Sequence, residues 1–446
     1  MSKLNFQGYA LTGSPGYDEE LAHVGPGTPC GEMLRRYWQP VAIADDIGEL
    51  PKGVRILGED LVIFRTPMNE FGLVHRQCPH RRASLEIGKC EDRGIRCAYH
   101  GWLFGLDGEI LETPGEAPDA KPAIEVRRRT RLGAYPLHEY GGLLFAYMGP
   151  IEEMPSFPEY DATYVPDLTT RTYQINYTCN WIQVLDAIMD PIHTSFLHSS
   201  ISGAQFSEGM AEIGELDIFE RNIQFLGSNT RRVDEHVWVR VNEVVLPNFT
   251  QAGSAFQADG TKPHYFGRSS FTRWVVPIDD VSCMSIAWAN FGERGDPHEY
   301  NNQEGCELIE QGELVDRPWE ERQRNPADAE AVEGMGPISE HKGENLMPTD
   351  RGVSLYRRKI RRLIRDIQEG KPAPQPEQLS GQPVRTYGQD SVLKLPIRNA
   401  EDDRAYLKRV GRLVMNMQFE AEEMELAARD AHIIERLKEM EAAGVA

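Results

Sequence analysis

Cys78-Pro79-His80 and, after sixteen intervening residues, Cys97-Ala98-Tyr99-His100-Gly101-Trp102 decide how this chain is read, because together they offer two Cys-plus-His pairs. Two thiolates and two imidazoles can close a tetrahedral zinc site, or hold a two-iron cluster with both histidines on one iron. Structural zinc sites usually pair like ligands, Cys with Cys and His with His. Here each short loop supplies one of each, so each loop can give one ligand to each of two irons. Imidazole ligation raises the reduction potential above that of an all-thiolate cluster. A chance clustering of buried cysteines and satisfied histidines is the bland alternative, and the spacing ranks it well below the metal reading.

Residues 78–102 resemble the Rieske motif, and the flanking Arg81-Arg82-Ala83 and Gly101-Trp102 resemble the aromatic-ring-hydroxylating oxygenases. The resemblance implies that Cys78 and Cys97 bind one iron of a [2Fe-2S] cluster, and that His80 and His100 bind the iron nearest solvent.

The chain of 446 residues is too long for one typical core and suggests two or three domains. A formal charge of −21, from 48 basic and 69 acidic residues, argues against nucleic acid and against an anionic membrane surface as partners. Beyond the two cysteines assigned to metal, Cys30, Cys90, Cys179, Cys283 and Cys306 show no disulfide spacing, so a reducing cytoplasm is the expected compartment. The first twenty residues lack the apolar stretch of a targeting peptide, and no segment is long and apolar enough to span a bilayer.

Residues 1–39 read as a lead-in, with a Gly25-Pro26-Gly27 turn before a helical run at 32–38. From 40 to 154, short apolar runs such as Leu61-Val62-Ile63-Phe64 alternate with Gly, Pro and Asp, which predicts an all-β antiparallel domain with the cluster ligands on its loops. Residues 155–166, rich in proline and aromatics, are the candidate linker into a second domain over 155–446.

In that second domain, residues 180–189 have helical spacing that breaks at Asp190-Pro191, where Asp190 could cap a restarted helix and Pro191 suits its first turn. His193 and His198 follow, but on a regular helix they lie about 140° apart. They converge on one metal only if the backbone departs from ideal geometry or the side chains swing together. The bland reading is a helix cap and two satisfied polar residues. Asn180-Trp181, Asp186, Asp190, His193 and His198 resemble the catalytic core of the same oxygenases, whose pattern is Asp-x-x-His-x4-His. That resemblance implies His193 and His198 on a mononuclear non-haem iron, with Asp190 bridging the two metal sites through hydrogen bonds. Many family members have Glu-Asn where this chain has Asp186-Ala187, so no role carries over to Asp186.

An oxygen-activating iron needs one carboxylate beside its two histidines and an open face. The stretch 323–331 followed by Gly336-Pro337-Ile338 resembles the phthalate-dioxygenase branch, which implies Asp328 as that ligand; Glu330 and Glu333 are the neighbouring alternatives. The alternation in 236–246 predicts a half-buried antiparallel strand, with more strands at 273–276 and 284–288. Trp238, Trp274 and Trp288 are expected mostly in the core. The basic run 356–365 reads as a solvated helix or an electron-donor docking face, and 400–441 as a long charged helical pattern of the C-terminal helices.

With these patterns the resemblance implies an α+β fold class: a Rieske all-β domain, then a helix-grip (START-like) catalytic domain with a curved antiparallel sheet and helices. The resemblance implies an NADH-dependent flavin or iron–sulfur reductase, possibly with a ferredoxin, as electron source for O2 activation beside an aromatic, carboxylated substrate. It also implies a homotrimer or a dimer of trimers. O-demethylation of a methoxyaromatic acid starts from the same ligands. A Rieske electron carrier without a second iron, or a zinc scaffold, are the readings from other classes.

Overall fold

The computed structural model describes residues 7–164, 169–201, 208–253, 265–269, 271–291, 317–397 and 403–444; Cys306 falls outside them. Two short capped helices form the lead-in. Asp18 accepts from Glu20 N at 3.0 Å at the head of α1 (Glu19–Ala22), and Thr28 accepts from Gly31 N at 3.2 Å at the head of α2 (Pro29–Leu34). Proline at the first position of α2 loses no helix hydrogen bond. The helix therefore starts earlier than the expected 32–38 and stops at Leu34, whose carbonyl accepts from Gln39 Nε2 at 3.1 Å. Asn180 Nδ2 donates to Ala22 O at 2.9 Å, and Trp181 Nε1 donates to Leu21 O at 3.2 Å, so the lead-in is fastened to the later part of the chain.

Three small antiparallel sheets follow. They are built from β1 (Gln39–Ile43), β2 (Lys52–Ile56), β3 (Glu59–Arg65), β4 (Phe71–His75), β5 (Lys89–Glu91), β6 (Gly94–Arg96), β7 (Leu103–Phe104), β8 (Ile110–Glu112), β9 (Ala134–Tyr135), β10 (Leu137–Tyr140) and β11 (Leu143–Ala146). Their orders are β2-β3-β4-β9, β5-β6-β7-β8 and β1-β11-β10. Val62, Phe64, Val74, Leu85, Ile95 and Phe104 make a separate small core that includes Cys78 and Cys97. The all-β expectation misses one helix, α3 (Lys121–Arg129), which buries only Ala123. So small an apolar face leaves little helical period to read. β10 and β11 join through Gly141-Gly142, both at positive φ. A Cβ on Gly141 would lie 2.7 Å from Trp288, whose Nε1 donates to the Gly141 carbonyl at 2.8 Å. That contact joins the small sheets to the large one. The expected linker is also anchored: Phe157 stacks on His138, and Tyr160 pairs with Val384 in an isolated bridge.

The large sheet comprises β12 (Thr169–Tyr177), β13 (Glu215–Arg221), β14 (Gln224–Val233), β15 (His236–Val245), β16 (Phe249–Ala252), β17 (Gly267–Arg268), β18 (Phe271–Asp279), β19 (Ser282–Phe291) and β20 (Gln389–Lys394). Its order is β12-β19-β18-β16-β15-β14-β13, with β20 on β15 and β17 on β20. One edge of β15 is taken by β14 along its length, and the other is shared between β20 at 236–241 and β16 at 243–245. Helices α4 (Trp181–Ile188), α5 (His193–Ser195), α6 (Trp319–Arg324), α7 (Asp328–Glu333), α8 (Arg351–Gln368), α9 (Asp403–Glu420) and α10 (Leu426–Ala443) complete the fold.

β15 is buried on both faces, not half-buried as its alternation predicts. Val237, Val239 and Val241 join the core of Val410, Val414 and Leu437 from α9 and α10. The alternate polar residues look toward α4, where Asn242 Nδ2 donates to Ile188 O at 3.2 Å. Trp274 and Trp288 belong to the main core, whereas Trp238 packs apart with Met210 and Val392. The 400–441 pattern is two helices, because the chain turns at 421–425 and Glu425 restarts it by accepting from Ala427 N at 3.1 Å. Among the described residues no helix is long and apolar enough to cross a membrane, and the six described cysteines are unbridged.

Candidate metal centres

The first centre is made by two loops with one backbone conformation. In one, Cys78 N donates to Ala83 O at 2.9 Å and Arg82 N to Cys78 O at 2.9 Å; in the other, Cys97 N donates to Trp102 O at 2.8 Å and Gly101 N to Cys97 O at 3.0 Å. The fifth residue of each loop has positive φ, 66° at Arg82 and 73° at Gly101. Both thiols are buried, Cys78 at 1% and Cys97 at 2% exposure, while His80 is exposed. Burial, together with the neighbouring Cys97, pushes the Cys78 thiol up to about 11. The His80 and His100 rings lie 4.6 Å apart, and His80 stacks on Trp102 at 4.5 Å. Two buried thiols and two less buried imidazoles, carried on paired loops, suit a cluster with one thiolate-bound and one imidazole-bound iron.

The second centre depends on a helix that is not α-helical. After α4 ends, Asp190 Oδ1 accepts from Ile192 N at 2.9 Å in a turn, but Asp190 does not cap the next helix as expected: α5 begins at His193 with Ile192 as its N-cap and no side-chain cap bond, so Pro191 lies before the helix. α5 then runs into a π-helix over Phe196–Ile201. Hydrogen bonds from i to i+5 widen the turn, so residues five apart come nearly one turn apart, and such turns recur at functional sites. His193 and His198 thereby face one another with rings 5.3 Å apart. Asp328, the first residue of α7, completes the group: its Oδ1 lies 3.2 Å from His198 Nε2 and 3.6 Å from His193 Nε2. One ligand atom from each of the three lies within 4.8 Å of the others. Burial works to raise the Asp328 carboxyl, but His198 and His193 hold it well below the usual range. Burial in turn lowers the His193 imidazole, which favours the neutral ring that ligates metal.

The alternative acids are engaged elsewhere. Glu330 accepts from Arg317 Nη2 at 3.0 Å, Arg322 Nε at 2.9 Å and Ala327 N at 2.8 Å, while Glu333 accepts from Thr178 N at 2.8 Å. His193 Nδ1 bonds the Asp190 backbone carbonyl, and the Asp190 carboxylate Oδ2 stands 3.8 Å away. The restart of the chain at 190–193 folds that carbonyl over the ring. Nδ1 is thus fixed as a donor and Nε2 is directed at Asp328.

Two further residues escape a reading of the sequence. Gln183 donates to Val332 O at 2.8 Å and Gly336 O at 3.1 Å and accepts from Ser339 N at 2.9 Å, tying α4 to the far end of α7. Arg357 is buried and pairs with Asp186 at 2.5 Å and with Glu344. The basic run is accordingly a tie across the interior and not a wholly solvated face, since Arg361 also pairs with Asp18 and Lys359 with Glu220. Neither tie has a local pattern that sequence could display.

Comparison with known proteins accords with this pair of centres. The Rieske [2Fe-2S] domain profile matches residues 37–136, and the profile described as "LigXa C-terminal domain like" matches 146–214. The oxygenase subunit of tert-butanol monooxygenase / tert-amyl alcohol desaturase from Aquincola tertiaricarbonis is 36% identical over 95% of this chain and 93% of its own. The chain belongs to the Rieske-type non-haem iron oxygenases. The alpha subunit of phenoxybenzoate dioxygenase from Ectopseudomonas oleovorans is 36% identical over 81% of this chain and 88% of its own. Dicamba monooxygenase bound to dicamba shares the fold, with a TM-score of 0.57 at 18% identity over 76% of this chain and 99% of that one. As a Rieske-type oxygenase alpha subunit, the protein uses a [2Fe-2S] cluster and a mononuclear non-haem iron. The donor sets of the two centres, soft thiolates with imidazoles and then two imidazoles with a carboxylate, fit these groups in turn.

Proposed function

We propose that Cys78, His80, Cys97 and His100 hold the cluster, that His193, His198 and Asp328 hold the mononuclear iron, and that the protein is a terminal oxygenase hydroxylating an aromatic, carboxylated substrate with O2. The observation that carries this reading is the convergence of His193, His198 and Asp328, which a plain electron carrier has no use for. When bound, the two groups supply one-electron transfer and O2 activation. The chain's own share is to hold three ligands on one side of a site and leave the other side open. The Asp190 carbonyl sets the His193 tautomer, and its carboxylate is left to connect the two centres. A separate NADH-dependent reductase, with or without a ferredoxin, supplies electrons in the cytoplasm. Residues 1–39, 40–154 and 155–446 act as lead-in, cluster domain and catalytic domain in a homotrimer.

O-demethylation is the second reading. It is favoured by 32% identity over 79% of this chain to the oxygenase subunit of 5,5'-dehydrodivanillate O-demethylase from Sphingobium. A screen of aromatic carboxylates and methoxyaromatics with product masses separates the two: a gain of oxygen marks hydroxylation, and loss of a methyl group marks demethylation. Iron analysis accompanies it. About three irons per chain are expected from a cluster and one further iron, whereas two would leave only an electron carrier.

A further inference from the structure

The face of the large sheet that looks toward α4 and α5 carries a cluster of charge that the metal centres do not use. Directly paired residues share a sheet face, and the register pairs Arg231 with Trp238, Asn229 with Arg240, and Arg240 with Asp390. Arg231, Trp238 and Asp390 are fully buried, and Asn229 is 2% exposed. Arg231 lies with its guanidinium 5.0 Å from the Trp238 ring, and its Nη2 reaches Thr194 Oγ1, next to His193, at 3.5 Å. Its Nε and Nη1, and both amide atoms of Asn229, have no hydrogen-bond partner among the described residues. Asp390 accepts from Trp238 Nε1 at 2.5 Å and stands 3.7 Å from Arg240 Nη1.

The charges do not balance. Two guanidiniums face one buried carboxylate, and the other acid that acts on Arg231, Glu212, is exposed. Burial and the nearby Arg240 push Arg231 down to about 9, and burial pushes Asp390 up to about 7. An uncompensated buried cation with unmade hydrogen bonds is destabilising until an anion supplies the missing acceptors. A planar fork of donors beside an aromatic ring matches a carboxylate, which can accept two parallel N–H bonds.

We infer that Arg231, supported by Arg240, anchors the carboxylate of an organic acid substrate between the sheet and α5. This rests on the oxygenase reading above and adds to it the residue that selects an anionic substrate. Asp390 opposes that anion and limits its affinity.

The test is calorimetric titration of the iron-loaded protein with benzoate, 3-methoxybenzoate and 3-phenoxybenzoate, each against its primary amide. At least one acid should bind ten-fold or more tightly than its amide. Arg231→Gln should erase that preference while leaving amide binding within about two-fold, and Arg231→Lys should retain part of it. Asp390→Asn, which keeps the acceptor for Trp238, should tighten the acid several-fold; it carries the test if Arg231→Gln does not fold. Equal binding of acids and amides by the parent protein, an unchanged preference in Arg231→Gln, or equal weakening of acid and amide in Asp390→Asn each overturns the inference. Iron content and the cluster spectrum of the same samples keep the two readings apart. A parent protein lacking the third iron counts against the oxygenase reading, whereas full iron without acid preference counts against Arg231 alone.

Discussion

The two candidate centres are assembled in opposite ways. The cluster ligands lie between residues 78 and 100, on two turns that repeat one hydrogen-bond pattern, so their geometry is a property of short segments. His193, His198 and Asp328 are brought together by a π-helix, a restarted helix and a first-turn aspartate held in place from another helix by Gln183. Local backbone can specify the first site almost alone. The second also needs the packing of distant segments to bring Asp328 to its two histidines, which makes it the more fragile of the two.

That contrast is broken most directly at Asp328. Asp328→Ala should abolish turnover and deplete about one iron per chain, since a triad deprived of its carboxylate binds metal poorly, while the Rieske spectrum stays unchanged. Glu330→Ala, which removes ion pairs and no candidate ligand, should retain its iron; the reverse outcome shifts the ligand by two residues. Turnover and metal analysis of the pair decide this.

Asp190→Asn is expected to fold, because an asparagine side-chain oxygen can accept from Ile192 N as the aspartate does and the His193 ring bonds a backbone carbonyl that the change spares. Both metal centres should load, yet single-turnover oxidation of the reduced cluster should slow by about tenfold or more, as for loss of an outer-shell partner. Oxidation at the parent rate would reduce Asp190 to a turn-forming residue.

A smaller effect is expected at His100→Cys, which should keep an iron–sulfur centre at a lower potential, in the direction of the roughly −400 mV of all-thiolate plant-type clusters. Redox titration reads it, and an unmoved potential argues against His100 as a ligand. The smallest is Gln183→Ala. It unmakes three hydrogen bonds, two of them buried, from α4 to Val332 O in α7 and to Gly336 O and Ser339 N just beyond it, so stability should fall by about 1–3 kcal/mol. Iron affinity should fall with it, by about tenfold; denaturant melts and iron retention on dialysis measure both, and a loss confined to the cluster would contradict the placement of Gln183.

Much of this was legible from residue types. Paired Cys and His, the break at Asp190-Pro191 and the resemblance around Gly336-Pro337-Ile338 point to every member of both candidate centres. The misreadings share a cause. Arg357 belongs to a basic run, yet it is buried, because Asp186 and Glu344 arrive from other segments to pair with it. β15 alternates like a half-exposed strand, yet Asn242 and Arg240 are enclosed, because α4 and β20 supply their partners. Residues 400–441 keep one helical composition across a turn that Glu425 ends through a single cap.

The sequence by itself therefore determined which side chains can bind metal and roughly where the chain bends, since ligand type, proline, glycine and capping residues act over a few positions. Only the structure decided how His193 and His198 face one another, that Asp328 rather than Glu330 or Glu333 is the acid brought against them, and that the Asp190 carbonyl, not its carboxylate, bonds the ring. The approach of Asp328 depends on packing shared between segments more than a hundred residues apart, whereas the two ring contacts depend on the backbone path at 190–201, which the spacing of residues on a regular helix does not give.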